Sequence, residues 1–168
     1  MKNNYTTYLI ICNVVLLTIV CIVLYLFNAT SKGVVYVDNI ELFNGFNMSN
    51  DLGKMNAKKI NSQKKKLDSL YTIYSIFRQQ ENVEKMKEVE NYLREEDQEL
   101  KQMNDFLSKD MHEKIWGRLN QYIKEYGEAN KCKIILGTQG NGNIFYGKEG
   151  LNITTKILEY ANTKYEGN

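Results

Sequence analysis

The sequence predicts an α+β protein: a small three-stranded β body, a long antiparallel α-helical coiled-coil hairpin and a C-terminal helix, preceded by an N-terminal transmembrane helix. Three observations lead to this fold class. An uncharged apolar segment lies near the N-terminus, no glycine or proline occurs from Lys54 to Trp116, and short β-branched segments flank that stretch on both sides. The 168 residues are enough for one domain beyond the apolar segment.

The apolar segment, Tyr8 to Phe27, is twenty residues long and carries no charge. At about 1.5 Å per residue it spans roughly 30 Å, the thickness of the hydrocarbon layer. Secretory signal peptides usually have a shorter apolar core of about 7–15 residues, although Ala29-Thr30-Ser31 is a passable cleavage site. We therefore favour an uncleaved anchor within residues 1–32 over a cleaved signal, with the N-terminus cytoplasmic and the remainder translocated.

Residues 33–53 are expected to begin the body. Gly33 to Asp38 is β-branched and aromatic, which is typical of a strand. Asp38 or Asn39 can then cap a short helix, Ile40 to Phe46. The segment Asn47 to Gly53 is predicted to be a loop because it is rich in Asn, Ser and Gly.

Residues 54–127 are predicted to form the hairpin, because apolar residues recur at helical coiled-coil spacing in two stretches. The first stretch contains Leu67, Leu70, Tyr74 and Phe77, and the second contains Met86, Leu93, Leu100 and Leu107 at intervals of seven. Between them, Arg78 to Asn82 has no apolar residue. We therefore place the turn between Ile76 and Met86.

Residues 128–168 are predicted to complete the body. Gly127 and Asn130 can end the long helix. Two β-rich runs, Lys133 to Leu136 and Asn143 to Tyr146, are joined by a segment containing Asn141-Gly142, which is a strong hairpin signal. An amphipathic helix follows from Ile153 to Tyr165. Three such short strands bury too little apolar surface to be stable alone, so the protein is expected to oligomerise.

The motifs around the hairpin resemble the Skp/OmpH family of periplasmic outer-membrane-protein chaperones, most closely its members from Bacteroidetes-type bacteria. The resemblance runs from about Val34 to the C-terminus. It is carried by the opening Val34 to Asp38 with Leu42-Phe43, by Lys133 to Leu136, by Gly140 to Tyr146, and by Leu151 to Thr154 leading into Lys156 to Leu158.

The resemblance implies a periplasmic homotrimer in which three hairpins project from a central β body around a cavity. Unfolded outer-membrane proteins would be held there without ATP. Two features depart from the family pattern. The apparent anchor would tether the protein to the inner membrane through residues 8–27, and Glu81 to Glu113 contains eleven acidic residues against five basic ones.

Composition and motifs give no support for catalysis, a cofactor, a metal site or nucleic-acid binding. The chain has 22 basic and 20 acidic residues, a nearly balanced charge that is atypical of nucleic-acid binders. His112 is the single histidine and is expected to be solvated. Gly140-Asn141-Gly142 lacks the rest of a phosphate loop, and Cys132 is the only thiol outside the apolar segment. We therefore predict a binding protein.

Client contact is predicted at four side chains beside the coiled-coil seam and near the turn. These are Tyr71, Ile73, Ile76 and Met86. Packing inside the hairpin is the alternative for each of them. A basic stretch starting at Lys54 could contact anionic lipid or acidic client segments, although such a stretch is more often a solvated helix face. Its remaining members are Lys58, Lys59, Lys64, Lys65 and Lys66.

The anchor and heptads also fit a second kind of function, a membrane-anchored coiled-coil scaffold of the cell envelope that links the inner membrane to one folded partner. A scaffold would bind that partner at fixed stoichiometry, whereas a holdase would bind many unfolded clients.

Overall fold

The computed structural model describes residues 2–29, 32–139 and 143–167. These residues form five α-helices and two strands. In chain order they are α1 (Lys2–Ala29), β1 (Lys32–Asp38), α2 (Asn39–Gly45), α3 (Asn47–Gln79), α4 (Val83–Ala129), β2 (Cys132–Thr138) and α5 (Thr154–Glu166), with a 3-10 turn at Glu149–Leu151. The chain divides into two compact units. The first comprises residues 1–39 and 123–154, and the second comprises residues 40–122 and 155–168.

In the first unit, β1 and β2 form a parallel sheet in which Val34 lies opposite Ile134 and Asp38 lies opposite Thr138. Parallel strands require a long connection, which the chain supplies through α2, α3 and α4. Val35 and Val37 are buried, whereas Val34 is exposed, as alternation along a strand requires. The two strands predicted at Gly33 to Asp38 and Lys133 to Leu136 are therefore present.

The third strand predicted at Asn143 to Tyr146 is absent from the described part of this single chain. These residues form bends and irregular loop, and the sheet has only the two strands β1 and β2 in the described ranges. Phe145 and Tyr146 are 94% and 86% exposed. Without a neighbouring strand, an apolar run of four residues gains neither ladder hydrogen bonds nor burial, which explains why its β propensity alone does not suffice. The turn residues Gly140 to Gly142 lie outside the described residues.

The end of β1 is joined to the start of α5 by a short hydrogen-bond chain. The Asp38 N–H donates to Thr154 Oγ1 at 2.9 Å, and the Thr154 hydroxyl and N–H donate to Asn152 Oδ1 at 2.6 and 3.0 Å. The Ile153 N–H donates to the Tyr36 carbonyl at 2.9 Å. The Asn-Ile-Thr segment thus caps the last helix and bonds to the backbone of β1.

In the second unit, α3 begins at Asn47, so the loop predicted at Asn47 to Gly53 is wrong. The Asn47 N–H donates to Asn162 Oδ1 at 2.8 Å, and Asn162 Nδ2 donates to the Gly45 carbonyl at 3.1 Å. These contacts supply an acceptor to one of the free N–H groups of the first turn. Tertiary contacts therefore outweigh the low helix propensity of Asn, Ser and Gly.

The long helices α3 and α4 are separated at Gln80–Asn82, inside the interval Ile76 to Met86 predicted for the turn. Glu81 has a φ of 53°, and Asn82 Oδ1 accepts the Lys85 N–H at 3.1 Å, which caps α4. Contacts between the two helices run in reverse order along the chain. Asn56 Nδ2 reaches the Leu107 carbonyl at 3.3 Å, and Gln63 Nε2 donates to Glu96.

The seam between α3 and α4 contains an apolar cluster whose buried members are Leu67, Val89 and Leu93. Partly buried side chains surround it, namely Leu70, Tyr74, Phe77 and Leu100. The coiled-coil residues predicted in α3 are therefore packed as expected. Earlier in α3 the buried side chains are Ser49, Asn56 and Gln63.

The N-terminal helix α1 contains a candidate membrane span from Tyr5 to Tyr25, with a mean hydropathy of 2.7 over its most apolar part. This overlaps the predicted span, Tyr8 to Phe27, and begins three residues earlier. Length and composition fit a bilayer, and they fit an N-terminal signal sequence as well.

Candidate functional site

The four side chains predicted to bind a client lie on the two long helices near their turn. Tyr71, Ile73 and Ile76 are 58%, 40% and 46% exposed, whereas Met86 is half-buried. The first three are therefore available to a partner, and only Met86 is substantially covered within its own chain. Covering large apolar side chains such as these with a partner makes the free energy of binding more favourable.

These side chains do not form one patch. At about 100° per residue, Tyr71 and Ile73 point to opposite flanks of α3, whereas Ile73 and Ile76 point to similar directions. A partner that contacted both flanks would have to wrap around the hairpin or lie between two hairpins. The arrangement is unlike a single pocket for one rigid ligand.

Three exposed apolar side chains on or beside α4 were missed by the sequence analysis. Val83, Tyr92 and Phe106 are 75%, 51% and 68% exposed. Tyr92 and Phe106 are fourteen residues apart and lie on the same flank of α4. Tyr92 and Phe106 each directly precede a seam leucine, so a search for heptad positions selects the leucine and overlooks its neighbour. An apolar residue one position before a heptad leucine was the signal that could have identified them.

The predicted basic stretch is exposed along α3, and all five of its candidate contact residues have free surface. Lys59, Lys66 and Ile73 are seven residues apart and share one flank of α3, so this flank changes from basic to apolar toward the turn. Lys66 Nζ lies 4.0 Å from Glu96 Oε2, which also accepts the Gln63 amide. Part of the positive charge is thus balanced by α4.

The other titratable groups show no arrangement suited to catalysis among the residues described. The exposed His112 ring stacks on Phe43 with 4.6 Å between centroids. A hydrogen bond to Asp97, and then its charge, raise the pKa of Lys101 on the surface of α4. Within the described ranges no three His, Cys, Asp or Glu side chains are grouped as metal ligands require.

One open cleft of about 340 Å³ lies at the start of α3 and the end of α5. Tyr165 OH donates to Asp51 Oδ2 at 3.2 Å, and Asn47 Nδ2 donates to Glu166. Desolvation, the hydrogen bond to Asp51 and its negative charge raise the pKa of Tyr165. The polar groups of the cleft thus bond to one another and help hold the two helices together.

A second apolar surface lies on the sheet and the segment after β2. Val34 and Ile134, which are opposite one another in the register, are 49% and 50% exposed, and Leu136 is 43% exposed. Phe145 and Tyr146 add two nearly uncovered aromatic side chains. Apolar surface of this extent on a small sheet is typical of a protein–protein contact.

Comparison with known proteins finds a matching family and similar solved structures. The profile of a family described as outer membrane protein (OmpH-like) matches residues 25–160. Among solved structures, the chain is similar to a candidate outer membrane chaperone (OmpH-like) from Caulobacter crescentus CB15, at 10% identity and a TM-score of 0.49, over 79% of this chain and 85% of that one. Comparison with curated proteins found no matching sequence.

Proposed function

The chain belongs to the OmpH-like outer membrane protein family, and from that premise we propose that it is an ATP-independent periplasmic holdase for unfolded outer-membrane proteins. Family membership supports the class of function. The observation that carries the proposal is the set of exposed apolar side chains along α3 and α4, on helices whose remaining surface is charged and polar.

Client binding would use many weak contacts instead of one pocket. We assign it to Tyr71, Ile73 and Ile76, with Met86 as a flexible half-buried neighbour, and add Tyr92 and Phe106 from α4. Tyrosine and methionine adapt to different partners because they combine apolar area with polar or flexible groups. Such a surface binds an unfolded chain without fixing its register.

The exposed lysines of α3 would assist capture of acidic client segments. Lys58, Lys59, Lys64, Lys65 and Lys66 provide the positive charge. Because Glu96 lies beside Lys66, we assign the lysines a secondary, salt-sensitive role.

The protein would act as a homotrimer whose antiparallel hairpins surround a cavity. Support comes from the exposed apolar face of the two-stranded sheet, which is too small to be stable alone. We propose that Asn143 to Tyr146 become the third strand when a neighbouring copy supplies hydrogen-bond partners. The burial of Phe145 and Tyr146 would then offset the entropy lost on ordering the segment.

An anchored state would keep the protein at the inner membrane, with its N-terminus in the cytoplasm and residues 33–168 in the periplasm. The length and hydropathy of the span Tyr5–Tyr25 support this proposal. Clients crossing the membrane would then meet the hairpins as they emerge.

Aggregation of a diluted, urea-unfolded β-barrel outer-membrane protein, followed by light scattering, tests the holdase proposal. The full-length chain in lipid nanodiscs should suppress scattering at one trimer per client without ATP. The double variant Tyr92→Ala/Phe106→Ala should suppress it several-fold less, because it removes two exposed aromatic contacts. The matched control is Asn91→Ala/Asp105→Ala, which changes the exposed polar residue before each aromatic and should behave like the wild type.

Unchanged aggregation in the presence of the wild-type protein would overturn the proposal. Capture of one folded envelope protein at a fixed ratio, with no binding of unfolded chains, would instead support the scaffold alternative.

A further inference from the structure

The span Tyr5–Tyr25 contains one side-chain amide, Asn13, two residues from its midpoint. The side chains described along this span are exposed in the single chain, including that of Asn13. In water this exposure would be unremarkable for an amide, but in hydrocarbon every polar group needs an internal partner. Near the bilayer centre, Asn13 therefore needs partners for both of its N–H donors and for its acceptor oxygen.

The hydrogen-bonding capacity of Asn13 is only partly used. Its Nδ2 donates to the Leu9 carbonyl at 3.2 Å, within the same helix. A carboxamide has a second N–H and an acceptor oxygen, and among the described residues neither has a partner. Thr18, the other clearly polar residue between Tyr8 and Phe27, differs because its single hydroxyl donor is already bonded to the Val15 carbonyl at 2.8 Å.

We propose that α1 associates with α1 of other copies of this chain through Asn13, so that the membrane helix is an assembly element as well as an anchor. A carboxamide is both donor and acceptor, so two Asn13 side chains are complementary to each other. Copies inserted in the same orientation place Asn13 at the same depth, which brings the amides level. The inference rests on the proposed function in one respect, that α1 is retained in the membrane.

The geometry of the helix specifies the contacting face. Thr6, Asn13 and Val20 are seven residues apart and lie on one face, with Ile10 and Leu17 close to it. Val15 lies about 200° from Asn13 and faces away. The β-branched and leucine side chains beside Asn13 would pack between helices and keep lipid from the paired amides.

Disulfide cross-linking of the full-length chain in phosphatidylcholine vesicles tests the inference. In a background in which Cys12, Cys21 and Cys132 are alanine, Leu17→Cys reports the Asn13 face and Val15→Cys reports the opposite face. Leu17→Cys should cross-link at least about threefold more than Val15→Cys, which is the scale expected for one interhelical hydrogen bond in a membrane. Adding Asn13→Leu should remove the preference, whereas Asn13→Gln should retain it.

Thr18→Val is the matched control, since it removes the polar group that is bonded within its own helix, and it should leave the preference unchanged. Equal cross-linking at both faces, or a preference that survives Asn13→Leu, would overturn the inference. An intact mass showing that residues 1–29 are removed from the mature protein would overturn it as well, while leaving holdase activity unaffected. A face preference in a protein that fails to suppress client aggregation would support the inference and count against the holdase proposal alone.

Discussion

From Ser49 to Gln63 the buried side chains of α3 are polar, whereas from Leu67 to Phe77 the covered side chains of the same helix are apolar. We refer to the first stretch as the polar half and to the second as the apolar half. Ser49, Asn56 and Gln63 are followed at the same interval of seven by Leu70 and Phe77, so one row of seam positions changes chemistry partway along the helix.

The comparison separates two contributions to a coiled coil. Leu67 packs with Val89 and Leu93, and burial of that apolar surface supplies stability. Asn56 donates to the Leu107 carbonyl at 3.3 Å, a directional contact that favours one alignment of the helices over others. We therefore expect the apolar half to stabilise the hairpin mainly through burial, and the polar half to favour one alignment of the two helices.

The largest expected effect is in the apolar half. Leu93→Ala should lower the free energy of unfolding by about 2–5 kcal/mol, because it leaves a cavity in the apolar cluster between α3 and α4. Urea denaturation followed by circular dichroism measures this. Tyr92→Ala at the neighbouring, 51% exposed position is the control and should change stability by less than about 1 kcal/mol. Equal losses for the two variants would contradict the assignment of Leu93 to the seam.

In the polar half, Asn56→Leu should stabilise the protein, which is the opposite of the effect expected for Leu93→Ala. The variant exchanges a buried amide for apolar packing, so the free energy of unfolding should rise by about 1 kcal/mol. Native mass spectrometry should at the same time show a broader range of oligomers, since a restraint on alignment is lost. Asn61→Leu on the exposed surface of α3 serves as the control and should leave the range of oligomers unchanged. A loss of stability as large as that of Leu93→Ala would show that the amide is a main source of stability.

At Ser49 the effect specific to the side-chain hydroxyl is expected to be smaller still. Its hydroxyl oxygen is buried and has no hydrogen-bond partner among the described residues. Ser49→Ala removes this uncompensated group and should raise the free energy of unfolding by about 1 kcal/mol. Ser62→Ala, at an exposed position of the same helix, measures the helix-propensity part of the gain, about 0.5 kcal/mol. Identical gains for the two variants would mean that the Ser49 hydroxyl carries no penalty.

The apolar half could be predicted from the sequence, and the polar half could not. Leu67, Leu70, Tyr74 and Phe77 are helix-compatible apolar residues at seam spacing, so periodicity reveals them directly. Ser49 lies in the segment Asn47 to Gly53, whose composition is that of a loop and which contacts the distant Asn162. Asn56 lies within the predicted helix, but its polar side chain gave no sign that it would be buried against α4. Periodicity of apolar residues cannot detect a seam built from polar ones.

The candidate site also contains some residues that could be predicted from the sequence and others that could not. Tyr71, Ile73 and Ile76 could be identified as apolar residues beside the seam, and all three are exposed, while their contact with a client stays a prediction. Tyr92 and Phe106 were not predicted because each is next to a seam leucine in the sequence. On a helix, however, consecutive side chains point about 100° apart, so these two lie outside the seam. The strand expected at Asn143 to Tyr146 depends on hydrogen bonds from outside the local sequence, which propensity does not contain.

The three-residue break at Gln80–Asn82 sets an order in which the hairpin can form. The Lys85 ammonium lies 5.2 Å from the centre of the Phe77 ring, only eight positions along the chain, whereas Gln63 and Glu96 are 33 positions apart and Asn56 and Leu107 are 51 apart. Closing a longer loop costs more entropy, so we expect the contacts beside the break to form before those of Asn56.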